Sequence, residues 1–543
     1  MINSGSKNNH TLKIKDMFFW FLVLIVIMVA VIIRVYMLKH HFTHEDDIAV
    51  AYYLRTIPKE SSLLDHIKAA FDFEWTYAPL QIWLEDPLVH FTNKYEVLLV
   101  VGRIWSFIFG AINCFLIYAV SINITDNKRL SMVAAVVTAL SWENIIYSSQ
   151  MEPYEIAVTF LLAQCLLISL FKRENFSIDI KLGVISVVVC TMSCYAHYQL
   201  FVVTAIFFGT LGVFIVFKNN EHKYRDFIAL CGMASVVFLL CIPLIYSIIN
   251  KAMNSNNLMS QGVNWNAGIE RQFLYYPEGT IINKALYTLY FFAKNTVIIC
   301  KSFIINSNSD SFIYLLFTMI FILVCLFGLL KMLIELHAEG LFLMLVLVSF
   351  YLLVLMRRYP YGPSRHTLIL FPVFVCLFMS GIKEVLDHFE KKELWTSLII
   401  VLIFSSFIIC VNTEINQRKN FLVEEILYDK IQEYDADIIY EYGHSCDFVI
   451  MEMESYENLF PGFYFFIKEN MVDAKYAIFY SRSRCFDEEY MPRFLEMCEK
   501  YDVKIKNWKL VEKIEIDTGT EIEYASKYYE NYKNGFHMYV YEL

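Results

Sequence analysis

The sequence predicts a polytopic α-helical membrane protein of about 11 spans that ends in a small extracytoplasmic α/β domain. Three observations carry that prediction. Of the 543 residues, 57% are apolar and only 18% charged, and mean hydropathy is +0.46, outside the range of soluble globular chains. Apolar runs of about 20 residues, the length that crosses a hydrocarbon core as a helix, recur along most of the chain. Beyond residue 413 those runs give way to charged and aromatic segments with strand-like patterns.

The first run, 17–37, is too long for a signal-peptide core and lacks a small-residue cleavage site after it, so it reads as a retained span behind a cytoplasmic segment 1–16. Further runs lie near 97–122, 131–149, 154–171, 183–199, 200–217, 227–249, 312–330, 341–356, 366–382 and 395–412. The stretch 284–305 is apolar but interrupted by Lys294 and Lys301, which argues for a re-entrant or interfacial helix. Short connections bearing Lys128-Arg129, Lys172-Arg173, Lys218 with Lys223 and Arg225, Lys331, and Lys391-Lys392 fall on one side. The positive-inside rule makes that side cytoplasmic, together with Lys7, Lys13 and Lys15 of the amino terminus. Eleven crossings then put 413–543 outside, with the loops 38–96, 250–311 and 357–365. In that tail Asp437–Tyr440, Tyr476–Tyr480 and His537–Tyr541 read as strands and Glu488–Tyr501 as a helix. The transmembrane unit is 17–412, and neither repeats nor low-complexity segments occur.

A formal charge of −10, with most of the acid surplus in the last quarter, excludes nucleic acid as a partner. Of the 13 cysteines, those from Cys114 to Cys410 fall in or beside apolar runs, where a thiol acts as a small hydrophobe. Cys446, Cys485 and Cys498 lie in the tail and allow at most one disulfide among themselves. No CxxC or Cys/His spacing points to a structural metal.

The feature richest in chemistry is Glu45-Asp46-Asp47, in the loop after the first span. Three consecutive carboxylates repel one another, and partial burial raises at least one pKa, the environment a general base needs. Their place beside the membrane is where a lipid-borne substrate presents its polar head, whereas a transporter is expected to bury charges near mid-membrane. The same cluster also fits a solvated first turn of a juxtamembrane helix. Trp75, Tyr77 and Trp83 suit stacking on sugar faces and equally suit an aromatic belt.

Five segments in order give the chain a resemblance to membrane glycosyltransferases of the GT-C fold, in particular the family 39-like branch of protein O-mannosyltransferases and aminoarabinose transferases. That branch has an acidic pair after the first span, matched by Asp46-Asp47 or less well by Glu45-Asp46. It has a His-Pro-Pro-Leu-like turn, here Tyr77-Ala78-Pro79-Leu80, before a second span containing an Arg, here Gly102-Arg103-Ile104. Its Tyr-Ser-Gln-Glu-Ala-Arg-Pro-Tyr-like segment is similar to Tyr147-Ser148-Ser149-Gln150-Met151-Glu152-Pro153-Tyr154. Its Tyr-x-His-Tyr matches Tyr195-Ala196-His197-Tyr198, and an Arg-containing start of a late span looks like Pro363-Ser364-Arg365-His366. The resemblance covers roughly 20–217 and 350–385 and does not reach the tail. The turn lacks its first Pro and its His, and Gln150 and Glu152 stand where the pattern has Glu and Arg. Those departures withhold support from acceptor contacts and from a metal site built on that turn.

The resemblance implies a transferase that takes a sugar from a polyprenyl-phosphate donor at the outer face of a plasma membrane, with a lipid, glycan or protein hydroxyl as acceptor. It also implies inversion at the anomeric centre. Asp46 is then the base that deprotonates the acceptor, with Asp47 as the near-equal alternative, and Glu45, Tyr77, Pro79, Tyr154 and His197 are substrate-binding candidates. Cations must meet the leaving phosphate, and Arg365, Arg358, Arg357 and Arg103 stand at the expected outer boundary, although flanking arginines also snorkel to headgroups. No metal ligand set is assigned; GT-C enzymes differ in their need for a divalent cation, and no phosphate loop points to a nucleotide sugar. Ile-, Asn- and Lys-rich usage suggests a bacterial source. The contrasting readings are a transporter or lipid flippase, and a polymerase or ligase for surface polysaccharide.

Overall fold

In a computed structural model the described residues are 5–40, 50, 53–54, 57–72, 78–90, 95–217, 222–254, 272–274, 276, 279–304, 312–389, 392–417, 423–442, 456–458, 464–468, 474–481, 495, 498–499, 509–516 and 536–543. The chain divides into two compact units, one of residues 1–38, 61–85 and 103–410, the other of 39–60, 86–102 and 411–543. The helices are α1 (Gly5–His40), α2 (Leu63–Asp72), α3 (Pro79–Val89), α4 (Tyr95–Gly102), α5 (Ile104–Thr125), α6 (Lys128–Leu140), α7 (Trp142–Tyr147), α8 (Tyr154–Arg173) and α9 (Ile180–Ala196). They continue as α10 (Leu200–Phe217), α11 (Lys223–Asn254), α12 (Ile281–Ile304), α13 (Phe312–Ile334), α14 (Ala338–Leu355), a 3₁₀ turn (Arg365–Leu370), α15 (Phe371–Asp387), α16 (Lys392–Gln417) and α17 (Val423–Tyr434).

The chain is a polytopic helical protein. Among the described residues, eight helical segments are long and apolar enough to cross a membrane: Trp20–Leu38, Val100–Thr125, Tyr154–Arg173, Leu200–Phe217, Lys223–Asn250, Leu315–Ile334, Ala338–Leu355 and Arg365–Asp387. Ile180–Ala196 and Leu394–Ile408 are shorter apolar helices. The apolar run 131–149 is not one helix: α6 stops at Leu140, Ser141 is extended (φ −62°, ψ 122°), and α7 starts anew. The break is stabilised by Arg34 of α1, whose guanidinium donates to the carbonyls of Thr138 and Ala139 in the last turn of α6, groups that have no acceptor role left inside the helix. The Lys-interrupted stretch forms the single helix α12, which lies outside the eight.

Local chemistry sets the other boundaries. Asn127 caps α6 by accepting from the amides of Arg129 and Leu130 at 3.0 and 3.2 Å, and Asp179 caps α9 through Leu182 at 2.6 Å. Within the bundle α8 and the Arg365–Asp387 segment are the central spans, 78% and 72% buried, whereas Lys223–Asn250 and Leu315–Ile334 are each 28% buried. The tightest helix crossing joins α13 to α15 through two glycines. A Cβ on Gly328 would lie 2.1 Å from the Leu377 carbonyl oxygen, and one on Gly381 2.1 Å from that of Val324, so backbone meets backbone where only glycine fits.

The second unit carries a six-stranded sheet of order β2-β3-β1-β4-β6-β5, from β1 (Ile438–Tyr442), β2 (Tyr456–Asn458), β3 (Tyr464–Lys468), β4 (Tyr476–Ser481), β5 (Lys509–Ile516) and β6 (Phe536–Glu542). β1 and β4 pair in parallel, with Ile438 opposite Ala477 and Tyr440 opposite Phe479, and the remaining pairs are antiparallel. Ile438, Ile439, Tyr440 and Ala477–Tyr480 are all buried, as expected of central strands covered on both faces. α17 is tied to the edge strand by Tyr434 and Lys430, which reach Glu512 at 2.8 and 2.9 Å. Here Cys498 is a buried free thiol pushed up to about 12 by burial, while Cys446 and Cys485 lie outside the described residues.

Candidate functional site

The centre of the candidate site is the turn 148–153 between α7 and α8, in the first unit. Four elements reach it. From α3, which starts with the buried Pro79 at its first position, the Gln81 amide donates to the Met151 carbonyl and, at 3.0 Å, to Glu85 of its own helix. From α5, Ser106 donates to the Glu152 carbonyl at 3.2 Å, and Trp105 donates to the Leu84 carbonyl at 2.7 Å, which holds α5 to α3. From the 3₁₀ turn, Arg365 forms an ion pair with Glu152. The first residue of α8, Tyr154, has its hydroxyl 3.2 Å from Nδ1 of His366 and its ring 5.4 Å from that of His197, the residue that ends α9.

The cluster is buried except at Arg365. Glu152 is 3% exposed while Arg365 is 20% exposed, so the ion pair is buried on its carboxylate side and partly exposed on its guanidinium side. Tyr154, His197, Tyr359 and His366 are buried. Burial alone pushes the His197 imidazole down to about 3, and its Nδ1 accepts from the Gln199 amide at 3.3 Å, so this ring is a neutral hydrogen-bonding group at physiological pH. Burial, then the charges of Glu143 and Glu152, raise the Tyr147 phenol well above its ordinary range. Tyr359 is raised likewise by burial, and its hydroxyl donates to the His366 carbonyl, which fixes the 3₁₀ turn. Tyr154 and Arg365 each begin a span, and His197 ends a helix, so the cluster sits at one end of the bundle.

Of the residues singled out in the sequence, Arg365, Tyr154, His197 and the Pro79 helix are therefore brought together. Arg103, N-terminal neighbour of α5, is fully buried and donates to the Leu38 carbonyl at 3.2 Å, which ties α5 to the end of the first span. Arg357 adopts a left-handed backbone (φ 56°) and lies over the Tyr276 ring at 4.8 Å; Arg358 is exposed. Glu45, Asp46, Asp47 and Tyr77 lie outside the described residues. Sequence reasoning missed Glu152, His366, Gln81 and Glu85 as site residues. The signal for Glu152 was present: an acid stands where the resembled pattern has an Arg, a charge reversal that calls for a cation elsewhere.

No family model matches the chain, and no curated protein matches it. Among solved structures it is similar to the Archaeoglobus fulgidus oligosaccharyltransferase in complex with Zn and sulfate, at 13% identity and a TM-score of 0.42, over 76% of this chain and 56% of that one. It is similar also to the archaeal oligosaccharyltransferase AglB from Archaeoglobus fulgidus in complex with an inhibitory peptide and a dolichol-phosphate, at 13% identity and a TM-score of 0.43, over 76% of this chain and 59% of that one. The chain thus spans less than three fifths of the length of these neighbours.

Proposed function

We propose that the protein is a GT-C-type glycosyltransferase that moves a sugar from a polyprenyl-phosphate donor to an acceptor hydroxyl at the outer face of the membrane, with inversion. The observation that carries this reading is convergence. The helix that begins at Pro79 of the 77–80 landmark and the landmarks at 147–154, 195–198 and 363–366, spread over about 290 residues of chain, meet around one turn at one end of the bundle. Packing alone does not require that the segments most resembling a transferase share a polar cluster. The charge pattern supports the same class. Every Asp, Glu, Lys and Arg within the eight spans lies at most four residues from a span end, whereas a transporter or flippase is expected to place charges near mid-span.

In this mechanism the donor phosphate is met by Arg365, which Glu152 orients, and negative charge developing on the leaving oxygen is stabilised by guanidinium donors already in place. His197, His366 and Tyr154 form a neutral polar wall that accepts or donates hydrogen bonds to the sugar without supplying charge. Arg358 and Arg357 are secondary phosphate candidates, and Arg103 holds the helix start against the first span. The acceptor proton goes to Asp46, or alternatively Asp47, a step worth about 10² to 10⁴ in rate. A divalent cation, if used, would draw its ligands from such carboxylates. The cytoplasmic rim is then the opposite end, where Lys172 pairs with Glu339 at 3.1 Å and Lys331 with Glu335 at 3.0 Å.

The test is transfer of labelled sugar from synthetic polyprenyl-phosphate sugars by the purified chain in proteoliposomes. Donor-dependent labelling that Arg365→Ala abolishes supports the reading. Labelling absent with every donor, or glycolipid translocation without transfer, would move the chain to the transporter class.

A further inference from the structure

Helix α2 takes no part in the site just described, and its surface divides into three lengthwise sectors. Its start is set by Ser62, whose Oγ donates to Asp65 Oδ2 at 2.6 Å and accepts the Asp65 amide at 3.3 Å. At about 100° per residue, His66, Ala69 and Ala70 share one side. That side faces the protein, with His66 half-buried and both alanines buried. Leu63, Leu64 and Ile67 form the next sector and are 76%, 57% and 37% exposed. Asp65, Lys68 and Asp72 form the third, which is exposed as well.

The helix is fixed at one level of the bundle. Ser247, close to the end of the span Lys223–Asn250, donates to the Phe71 carbonyl at 2.8 Å. Tyr195, in the last turn of α9, stacks on Trp83 of α3 at 5.4 Å, and Phe71 meets these two rings edge-on at 6.1 and 5.8 Å. The Trp83 indole N–H donates to the Ile67 carbonyl at 3.3 Å. α9 ends at His197 and α3 holds the site turn through Gln81, so α2 lies at the same end of the bundle as the site.

We propose that α2 is an interfacial helix that lies along the membrane surface at the site end of the bundle. Leu63, Leu64 and Ile67 enter the upper acyl chains, and Asp65, Lys68 and Asp72 stay in the wet headgroup layer. An exposed apolar row directly beside an exposed charged row suits neither bulk water nor hydrocarbon, and the rim where spans end supplies both. Lipid is the occupant because the apolar surface of the neighbouring span reaches this level: Tyr246 and Ile249, on either side of Ser247 in sequence, are 66% and 50% exposed. The charged row holds two acids and one lysine, so acyl contact carries the interaction and zwitterionic lipid suffices. On the transferase reading this level sets the Arg365 site beside the layer where a donor phosphate lies; the lipid contact itself does not depend on that reading.

The full chain is reconstituted in phosphatidylcholine vesicles with a compact fluorescent amino acid in place of Leu63 or of Asp72. Quenching by lipids brominated in the upper acyl chain is compared with quenching by aqueous iodide. The label at Leu63 is expected to give a bromolipid-to-iodide quenching ratio at least about three-fold above that at Asp72. Leu64, in the same sector, is the second reporter where the first labelled chain does not accumulate. Equal ratios at the apolar and charged positions overturn the proposal, since the helix is then either submerged or clear of the membrane. An apolar-sector label shielded from both quenchers also overturns it, because the row is then covered by another protein segment or a second copy. Expected quenching in a chain that transfers no sugar would remove the transferase reading and leave α2 at the interface.

Discussion

Replacing Arg365 by Ala separates the catalytic from the structural share of the Arg365–Glu152 pair. The substitution removes the counterion from a carboxylate that is 3% exposed. Removing one partner of a fully buried pair costs about 3–5 kcal/mol; the guanidinium here is 20% exposed, which screens the pair and lowers the expected loss to about 2 kcal/mol. The loss of transfer is larger, because a preorganised donor to developing negative charge is worth about 10² to 10³ in kcat. The second substitution, Glu152→Gln, divides the two. In Arg365→Ala/Glu152→Gln the uncompensated negative charge is gone, so stability returns to within about 1 kcal/mol of wild type, while transfer stays as low as in Arg365→Ala. The assays are thermal unfolding in detergent and initial rates of sugar release from a polyprenyl-phosphate donor. Recovery of transfer along with stability in the double variant would refute the phosphate role and leave Arg365 as a packing partner only.

Three other outcomes follow from the same packing. His197 is held neutral by burial with its pKa near 3 against about 6.5 when unfolded, so below pH 6.5 the unfolded state binds the extra proton. Its contribution is constant above pH 6.5 and falls by about 1.4 kcal/mol per pH unit as pH drops toward 3; His197→Gln should flatten that part of the stability–pH curve, and an unchanged slope would contradict it. Gly328→Ala or Gly381→Ala pushes a methyl group into a backbone carbonyl, and each should cost about 3 kcal/mol or more, visible as a lowered melting temperature; wild-type melting would refute the backbone contact. In the second unit, Glu512→Gln removes the acceptor shared by Lys430 and Tyr434, and because those groups are partly exposed the loss should stay within about 1 kcal/mol.

Much of this was legible in the sequence, for identifiable reasons. Length and apolarity mark spans such as 20–38 and 154–173 because a lipid-facing helix has no other way to satisfy its backbone. β-branched and aromatic stretches at 438–440 and 476–480 mark strands. The split of 131–149 at Ser141 was not legible, because the stabilising partner, Arg34, is about a hundred residues away and an isolated arginine near the end of a span reads as a snorkelling one. Of the site, Arg365, Tyr154 and His197 were found through landmarks. Glu152, Gln81 and Glu85 were not, since a carboxylate or amide acquires meaning only when the distant cation or carbonyl it serves is in place.

The account stands most directly on one measurement, the rate of sugar transfer from a defined polyprenyl-phosphate donor in proteoliposomes, compared among wild type, Asp46→Asn, Asp47→Asn and Arg365→Ala at equal protein levels. The prediction is donor-dependent transfer that falls by about 10² or more in Arg365→Ala and in one of the two Asp variants, with the other Asp variant affected less. Transfer indifferent to all three substitutions would contradict the account, because neither the acidic pair nor the cation at the centre of the cluster would then take part in the reaction.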